Sequence, residues 1–321
     1  MGDFLWGIIP WGYRVLLDVE GMRNGLMDTV FPIITNIGNS MTYFIILTLL
    51  YWCVRKPMGR GFAYAFLLTG ILNTWIKDIW CIPRPADPAL MSVLEQAGIT
   101  LRLNPLMHMH DSSHSFVSGH TQMAVVSWGY MAFHYKKSWF WAIAVILTAL
   151  IGFSRIYVGV HFPQDVVGGL VVGGIFLLLW LPAEPYLRAR LADLSLVCRY
   201  ALAVLIPLIL LMLHPVGPTA TPVGLVMGLA VGFVLEGQHL SFLAGGAWPG
   251  RVLRGILGII VLFALLLSLR ALFGPIVVRM GPAMKIVWNV ILNAMFGFVV
   301  AFVAPWLFTV TRLAQRENKR T

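Results

Sequence analysis

Three short stretches of this chain bring together residue types that handle phosphate. The first, Lys77 to Pro85, reads KDIWCIPRP, with a lysine and an arginine seven residues apart. On a helix that spacing puts both on one face. Pro83 and Pro85 end the helix and leave Arg84 at its mouth. The second, His114 to His120, reads HSFVSGH. Ser118 suits a helix N-cap, Gly119 lets a backbone N–H come close to a ligand, and the free amides of a helix N-terminus attract anions. His120 follows and can donate a proton there. The third, Ser154 to Asp165, reads SRIYVGVHFPQD. Its His161 and Asp165 are four apart, so the carboxylate can fix the tautomer of the imidazole and stabilise its positive charge. Arg155 adds a third cation, and Pro163 suits the first turn of a following helix. Taken singly, the first two have bland alternatives: snorkelling side chains at a helix end, and a capped helix with an interfacial histidine. Together the three can balance the charge of a phosphoryl group in transfer, which is most of what such transfer requires. The arginines can bind oxygens bidentately and the lysine acts as a point charge. Two histidines in different surroundings can divide nucleophilic and acid work.

The elements that position these residues are membrane helices. Of 321 residues, 59% are hydrophobic and 11% charged, against about a quarter charged in soluble domains. Nine stretches read as spans: 30–52, 61–80, 118–135, 138–156, 164–183, 200–214, 221–236, 253–270 and 284–309. Alternate loops divide the 23 Lys and Arg into fourteen on one side and nine on the other. Three of the nine, Lys77, Arg84 and Arg155, belong to the candidate site. The bias predicts an N-terminus outside and a C-terminus inside. It also puts all three stretches at the extracytoplasmic face, although none was used to choose the orientation.

The net charge of +10 reads as membrane orientation. No basic stripe with stacking aromatics points to nucleic acid. The N-terminus, MGDFLWGIIPWGYR, lacks the basic region of a signal peptide and the myristoylation pattern. Trp6, Trp11 and Tyr13 there suggest a segment lying in the interface, with a short re-entrant or packed helix as the alternative. Cys53, Cys81 and Cys198 show no metal-site spacing, and the topology separates Cys81 from the other two. No fixed-period repeat or pair of broken helices suggests a transporter.

The three stretches resemble the signature motifs of the type 2 phosphatidic acid phosphatase superfamily, which includes glucose-6-phosphatases and vanadium haloperoxidases. The family pattern is K-x6-R-P, then P-S-G-H, then S-R-x5-H-x3-D. This chain matches it with Lys77 and Arg84-Pro85, then Ser118-Gly119-His120, then Ser154-Arg155 with His161 and Asp165. Val117 stands where the family has proline, a change expected to affect loop rigidity more than chemistry. The resemblance covers about residues 30–185 and implies an all-α membrane bundle with a six-helix phosphatase core. It divides the chain into an interfacial segment (1–29), the core (30–185), and further membrane helices with a basic tail (186–321). By resemblance His161 is the nucleophile that becomes phosphohistidine, Asp165 orients it, and His120 is the acid that then activates water. Lys77, Arg84, Ser118, Gly119 and Arg155 hold the phosphoryl oxygens. No metal or cofactor is implied.

The expected partner is a lipid phosphate or diphosphate presented from the bilayer of a plasma, inner or endoplasmic reticulum membrane. A sugar phosphate, phosphotransfer to an alcohol, and a non-catalytic transporter or lipid-binding role are the alternatives. The membrane setting disfavours haloperoxidase chemistry. Other polar residues carry smaller expectations. His108, His110, Asp111 and His114 read as a polar loop over the site, with a metal site as the alternative. Asn73 and Thr74 either orient Lys77 or join helices, and Asn289 and Asn293 read as helix packing. Asp78 reads as a loop partner, Glu236 as a hydrated residue near a cytoplasmic end, and the tail from Thr311 as solvated.

Overall fold

The computed structural model describes residues 7–96 and 113–317. These residues are helical throughout, with no strand beyond an isolated bridge between Phe242 and Arg316. The helices are α1 (Ile9–Gly21), α2 (Gly25–Ile37), α3 (Ser40–Leu49), α4 (Lys56–Trp80), α5 (Pro88–Gln96), α6 (Gly119–Tyr135), α7 (Ser138–Tyr157), α8 (Pro163–Asp193), α9 (Leu196–Leu213), α10 (Gly217–His239), α11 (Trp248–Val278), α12 (Pro282–Phe298) and α13 (Ala304–Val310). Wider π turns, Leu50–Val54 and Val299–Val303, follow α3 and join α12 to α13.

Every stretch read as a span from the sequence is helical. Six helices among the described residues are long and apolar enough to cross a membrane: Ser138–Tyr157, Pro163–Asp193, Leu196–Leu213, Gly217–His239, Trp248–Val278 and Pro282–Val310. A seventh candidate, Gly25–Ile37 with Ser40–Val54, is bent by 51°. The single span expected over 30–52 is therefore broken. The reason is the polar run Asn36-Ile37-Gly38-Asn39-Ser40, where Thr42 Oγ1 donates to the Asn36 carbonyl and Asn39 Oδ1 accepts from the Met41 amide. The side chains offer the backbone an alternative to the helix ladder. α4 and α6 are helices where spans were expected, but α6 is only 17 residues long, and α4 carries Lys56, Arg60, Lys77 and Asp78.

The chain forms two compact units: Met1–Tyr43 with Leu72–Pro182, and Phe44–Ile71 with Ala183–Thr321. In the first unit, α1 buries Ile9, Tyr13 and Leu16 against Ile82 and Phe162, and Val19 against Tyr157, Val158 and Val160. α1 thus lies across the ends of two of the sequence motifs, and the Tyr13 hydroxyl donates to the Pro85 carbonyl at 2.6 Å.

In the second unit the two π turns meet. Tyr51 Oη and Trp52 Nε1 in the first donate to the carbonyls of Ala301 and Val300 in the second, as suits a widened turn whose carbonyls no longer lie on a regular ladder. Gly228 on α10 comes so close to α12 that a Cβ would lie 1.9 Å from the Ala294 carbonyl oxygen. This is the tight approach that small residues allow between membrane helices. Asn293 lies on the same contact, beside Gly224, and donates to the Asn289 carbonyl, in line with a packing role.

Glu236 is not hydrated. Its carboxylate is fully buried, takes Lys56 Nζ at 2.7 Å and the Phe242 amide at 2.9 Å on one oxygen, and takes Arg60 on the other. The hydrophobic end of α10 leaves a carboxylate no water to use, so it gathers donors instead. Arg254, equally buried, donates to the carbonyls of Leu243, Ala244 and Gly245. The start of the C-terminal tail is likewise pinned. Leu243 N–H donates to the Gln315 carbonyl and Glu317 N–H to the Ser241 carbonyl.

Candidate active site

Each motif is shaped by its local backbone. α4 ends at Trp80, and the next residue, Cys81, takes a left-handed φ of 47° while its amide bonds back to the Lys77 carbonyl. Pro83 and Pro85 prevent continuation. Lys77 therefore sits in the last turn and Arg84 just past the helix. Ser118 occupies the N-cap of α6, as expected, but its hydroxyl accepts from Thr121 Oγ1 rather than capping an amide. Arg155 lies in the last turn of α7. The chain then reverses through Gly159, whose φ of 77° strains any other L residue. That turn delivers His161 just ahead of Pro163, the first residue of α8.

The three motifs are knitted together pairwise by two backbone hydrogen bonds and one from a side chain. Ser115 N–H donates to the Ile82 carbonyl at 2.7 Å, joining the second motif to the first, and Ser118 N–H donates to the Asp165 carbonyl at 2.9 Å, joining it to the third. Arg84 Nη1 donates to the Val160 carbonyl at 3.2 Å, joining the first to the third. α6 and α8 can approach because Gly169 faces the Ser118 carbonyl oxygen, which a Cβ would meet at 2.7 Å. The structure thus brings all eight predicted site residues into one unit around His161.

The nucleophile candidate is enclosed. His161 and Asp165 are 1% and 0% exposed. His161 Nδ1 lies 3.3 Å from Asp165 Oδ2 and 3.3 Å from Ser115 Oγ. Ser115 Oγ also donates to Asp165 Oδ2 at 2.5 Å, and the Phe162 amide donates to the same oxygen at 2.8 Å. The pair foreseen in the sequence is therefore a triangle with a serine at its third corner. Burial, followed by the positive charges of Arg84, Lys77, Arg155 and His120, holds the His161 imidazole well below its ordinary titration range. A buried imidazole that stays neutral keeps a lone pair on the nitrogen facing away from the carboxylate.

The cations are positioned by neutral oxygens. Lys77 Nζ donates to the His114 carbonyl at 2.7 Å and to Ser113 Oγ at 3.1 Å. Arg84 donates from Nε to the Ser113 carbonyl at 2.8 Å and from Nη2 to Ser113 Oγ at 3.0 Å. Arg155 Nη1 donates to Thr35 Oγ1 at 2.7 Å. Asn73 joins helices: its amide donates to the Val117 carbonyl and to Gln122 Oε1. That is the second of the two roles expected for it, and it braces the N-terminus of α6. Asp78 lies 4.0 Å from His114 Nε2, as a loop partner. His108, His110 and Asp111 lie outside the described residues. All three cysteines are free thiols.

Ser113, Ser115 and Thr35 are the site residues that sequence reasoning missed. Ser115 was within reach, since a serine three residues before the N-cap of a motif helix stands close to whatever that helix faces. Thr35 carried no signal, because only the fold brings it 120 residues along the chain to Arg155.

The comparisons with known proteins match the segment that carries these motifs. The profile described as "PAP2 superfamily" matches residues 59–189, and the one described as "PAP2 superfamily phosphatase, transmembrane extension" matches residues 220–316. Lipid phosphate phosphatase delta of Arabidopsis thaliana is 28% identical over 183 residues, which is 53% of this chain and 41% of that protein. The chain thus spans about two fifths of the plant protein's length. Undecaprenyl-diphosphatase BcrC of Bacillus subtilis is 29% identical over 182 residues, 55% of this chain and 86% of that protein. Among solved structures, a PAP2-type phosphatidylglycerolphosphate phosphatase from Bacillus subtilis aligns with a TM-score of 0.45 at 22% identity, over 56% of this chain and 87% of that one.

Proposed function

Because the chain belongs to the PAP2 superfamily, we propose that this integral-membrane protein is a phosphatase that hydrolyses a lipid phosphate or diphosphate through phosphohistidine at His161. The observation that carries this reading is the His161–Asp165–Ser115 triangle set among Lys77, Arg84 and Arg155. The relatives, a lipid phosphate phosphatase and an undecaprenyl-diphosphatase, favour a lipid substrate over a sugar phosphate.

His161 carries its proton on Nδ1, toward Asp165 and Ser115, and attacks phosphorus with Nε2. The bond from phosphorus to the leaving oxygen breaks as the N–P bond forms, and His120 protonates that oxygen. Lys77, Arg84 and Arg155, with the Ser118 hydroxyl and the Gly119 amide, hold the non-bridging oxygens, whose charge they match better in transfer than at rest. His120 then takes a proton from water, water displaces His161 from phosphorus, and inorganic phosphate leaves. Charge compensation by side chains and amides needs no divalent metal. The charge bias of the loops favours an extracytoplasmic face for this site, in a nine-span chain with the N-terminus outside and the C-terminus inside, where a headgroup would reach it while its tails stay in the bilayer.

The test is phosphate release in detergent from a panel of lipid phosphates, lipid diphosphates and sugar phosphates, with and without chelator. Wild type is expected to release phosphate from at least one lipid member in chelator, and purified His161→Ala from none. Full activity in His161→Ala sinks the mechanism. Release only from sugar phosphates, or transfer to an added alcohol in place of release, sinks the substrate and reaction assignments respectively.

A further inference from the structure

α2 lies outside both matched segments, which begin at residue 59, yet it forms part of the wall of the site. One of its faces is keyed onto α7. Asp28 Oδ1 accepts from the Tyr157 hydroxyl at 2.9 Å. One turn on, the Phe31 ring packs against Phe153 and Tyr157, with centroids at 5.2 and 4.4 Å. A further turn on comes Thr35, 4% exposed, whose hydroxyl accepts from Arg155 Nη1 at 2.7 Å. The helix then breaks. Gly38, at the break, comes close enough that a Cβ would lie 2.6 Å from Ile151 Cγ2 and 3.2 Å from His120 Cδ2. The segment from Thr35 to Gly38 thus touches one proposed phosphate ligand and the proposed general acid. The polar run that bends α2 away from α3 is what lets it do so.

We propose that Thr35 is a positioning residue of the phosphate site, fixing the Arg155 guanidinium so that it meets the transferring phosphoryl group. The inference rests on the phosphatase reading above. A guanidinium is planar and presents its donors as a rigid fork, so one fixed edge sets the direction of the others. A hydroxyl acceptor does this without cancelling the charge that the phosphoryl oxygens require. Thr35 acts through Arg155 and performs no proton transfer.

The experiment measures the inhibition constant of vanadate and the kcat and KM of the best lipid substrate for wild type, Thr35→Val and Thr35→Ser, each alone and with Arg155→Met. Thr35→Val keeps shape and removes the acceptor. It is expected to weaken vanadate binding and kcat/KM roughly tenfold to a hundredfold, the range for a hydrogen bond to a charged group. Thr35→Ser is expected to stay within about threefold of wild type. In the Arg155→Met background Thr35→Val is expected to change neither quantity, because residues acting as one unit are not additive. Unchanged vanadate binding in Thr35→Val, an equal loss in both backgrounds, or failure of serine to rescue overturns the proposal. If Thr35→Val does not fold, Thr35→Ser decides: a folded serine variant with weakened vanadate binding overturns it, and one with vanadate binding kept supports it. Inactive wild type that binds no vanadate contradicts the phosphatase reading itself, a result distinct from all of these.

Discussion

In the second unit, Lys56 and Arg60 close on a single carboxylate, Glu236, which also takes the Phe242 amide. In the first unit, Lys77, Arg84 and Arg155 donate to hydroxyls and backbone carbonyls, those of Ser113, His114, Val160 and Thr35 among them. Both clusters bury charge in an apolar chain, where charge is costly and must be stabilised locally. One has its anion, Glu236, built into the fold. In the other, hydroxyls and carbonyls help to hold the cations in place, and burial, followed by the charge of those cations, disfavours the protonated form of His161. The first arrangement is a staple between helices and a loop, and the second is the one we propose to receive the phosphoryl group. Buried basic residues alone do not mark a site.

Crossed substitutions test that contrast. Arg84→Ala is expected to lower kcat/KM roughly a hundredfold to a thousandfold, the usual cost of removing one donor from a developing oxyanion, and to leave the thermal midpoint near that of wild type. Glu236→Gln is expected to do the reverse. It breaks a buried ion pair and costs on the order of 3 kcal/mol of stability, while the protein that remains folded keeps its kcat. Purified variants compared by turnover per folded molecule and by thermal unfolding decide the matter. If Glu236→Gln lowers kcat as much as Arg84→Ala does, the two clusters do not divide as argued.

A smaller effect should appear with pH. The acid limb of kcat/KM reports the base in the free enzyme, here neutral His161. Because burial and neighbouring cations disfavour its protonated form, the limb is expected below the ordinary imidazole value of about 6.5. Removing a positive neighbour raises the imidazole's affinity for a proton, so Arg84→Gln should move the limb to higher pH. A wild-type limb above the ordinary value, or a shift downward in the variant, contradicts the electrostatic account.

Much of this was legible in the sequence, for identifiable reasons. Hydropathy is a strong local signal, and each stretch read as a span is helical, the first of them in two bent pieces. The motif spacings place Lys77, His120 and His161 because helix periodicity and proline carry positional meaning even without tertiary structure. The break at Gly38-Asn39 was hidden because hydropathy averages over a window and the apolar flanks outweigh a five-residue polar run. Glu236 was misjudged because its sequence neighbours say nothing of Lys56 and Arg60, which only the fold brings to it. Ser115 and Thr35 are neutral hydroxyl residues of common type, and their roles follow from the partners they meet.

The account turns on a bond between phosphorus and His161. The direct measurement is an acid-sensitive trap: enzyme mixed with a lipid phosphate labelled at phosphorus, quenched in denaturant at alkaline pH within the first turnover, and the chain assayed for bound label. Wild type is expected to carry label that is lost on mild acid treatment and maps to the peptide containing His161, and His161→Ala to carry none. Label that persists in His161→Ala, or maps to another residue, would contradict the account.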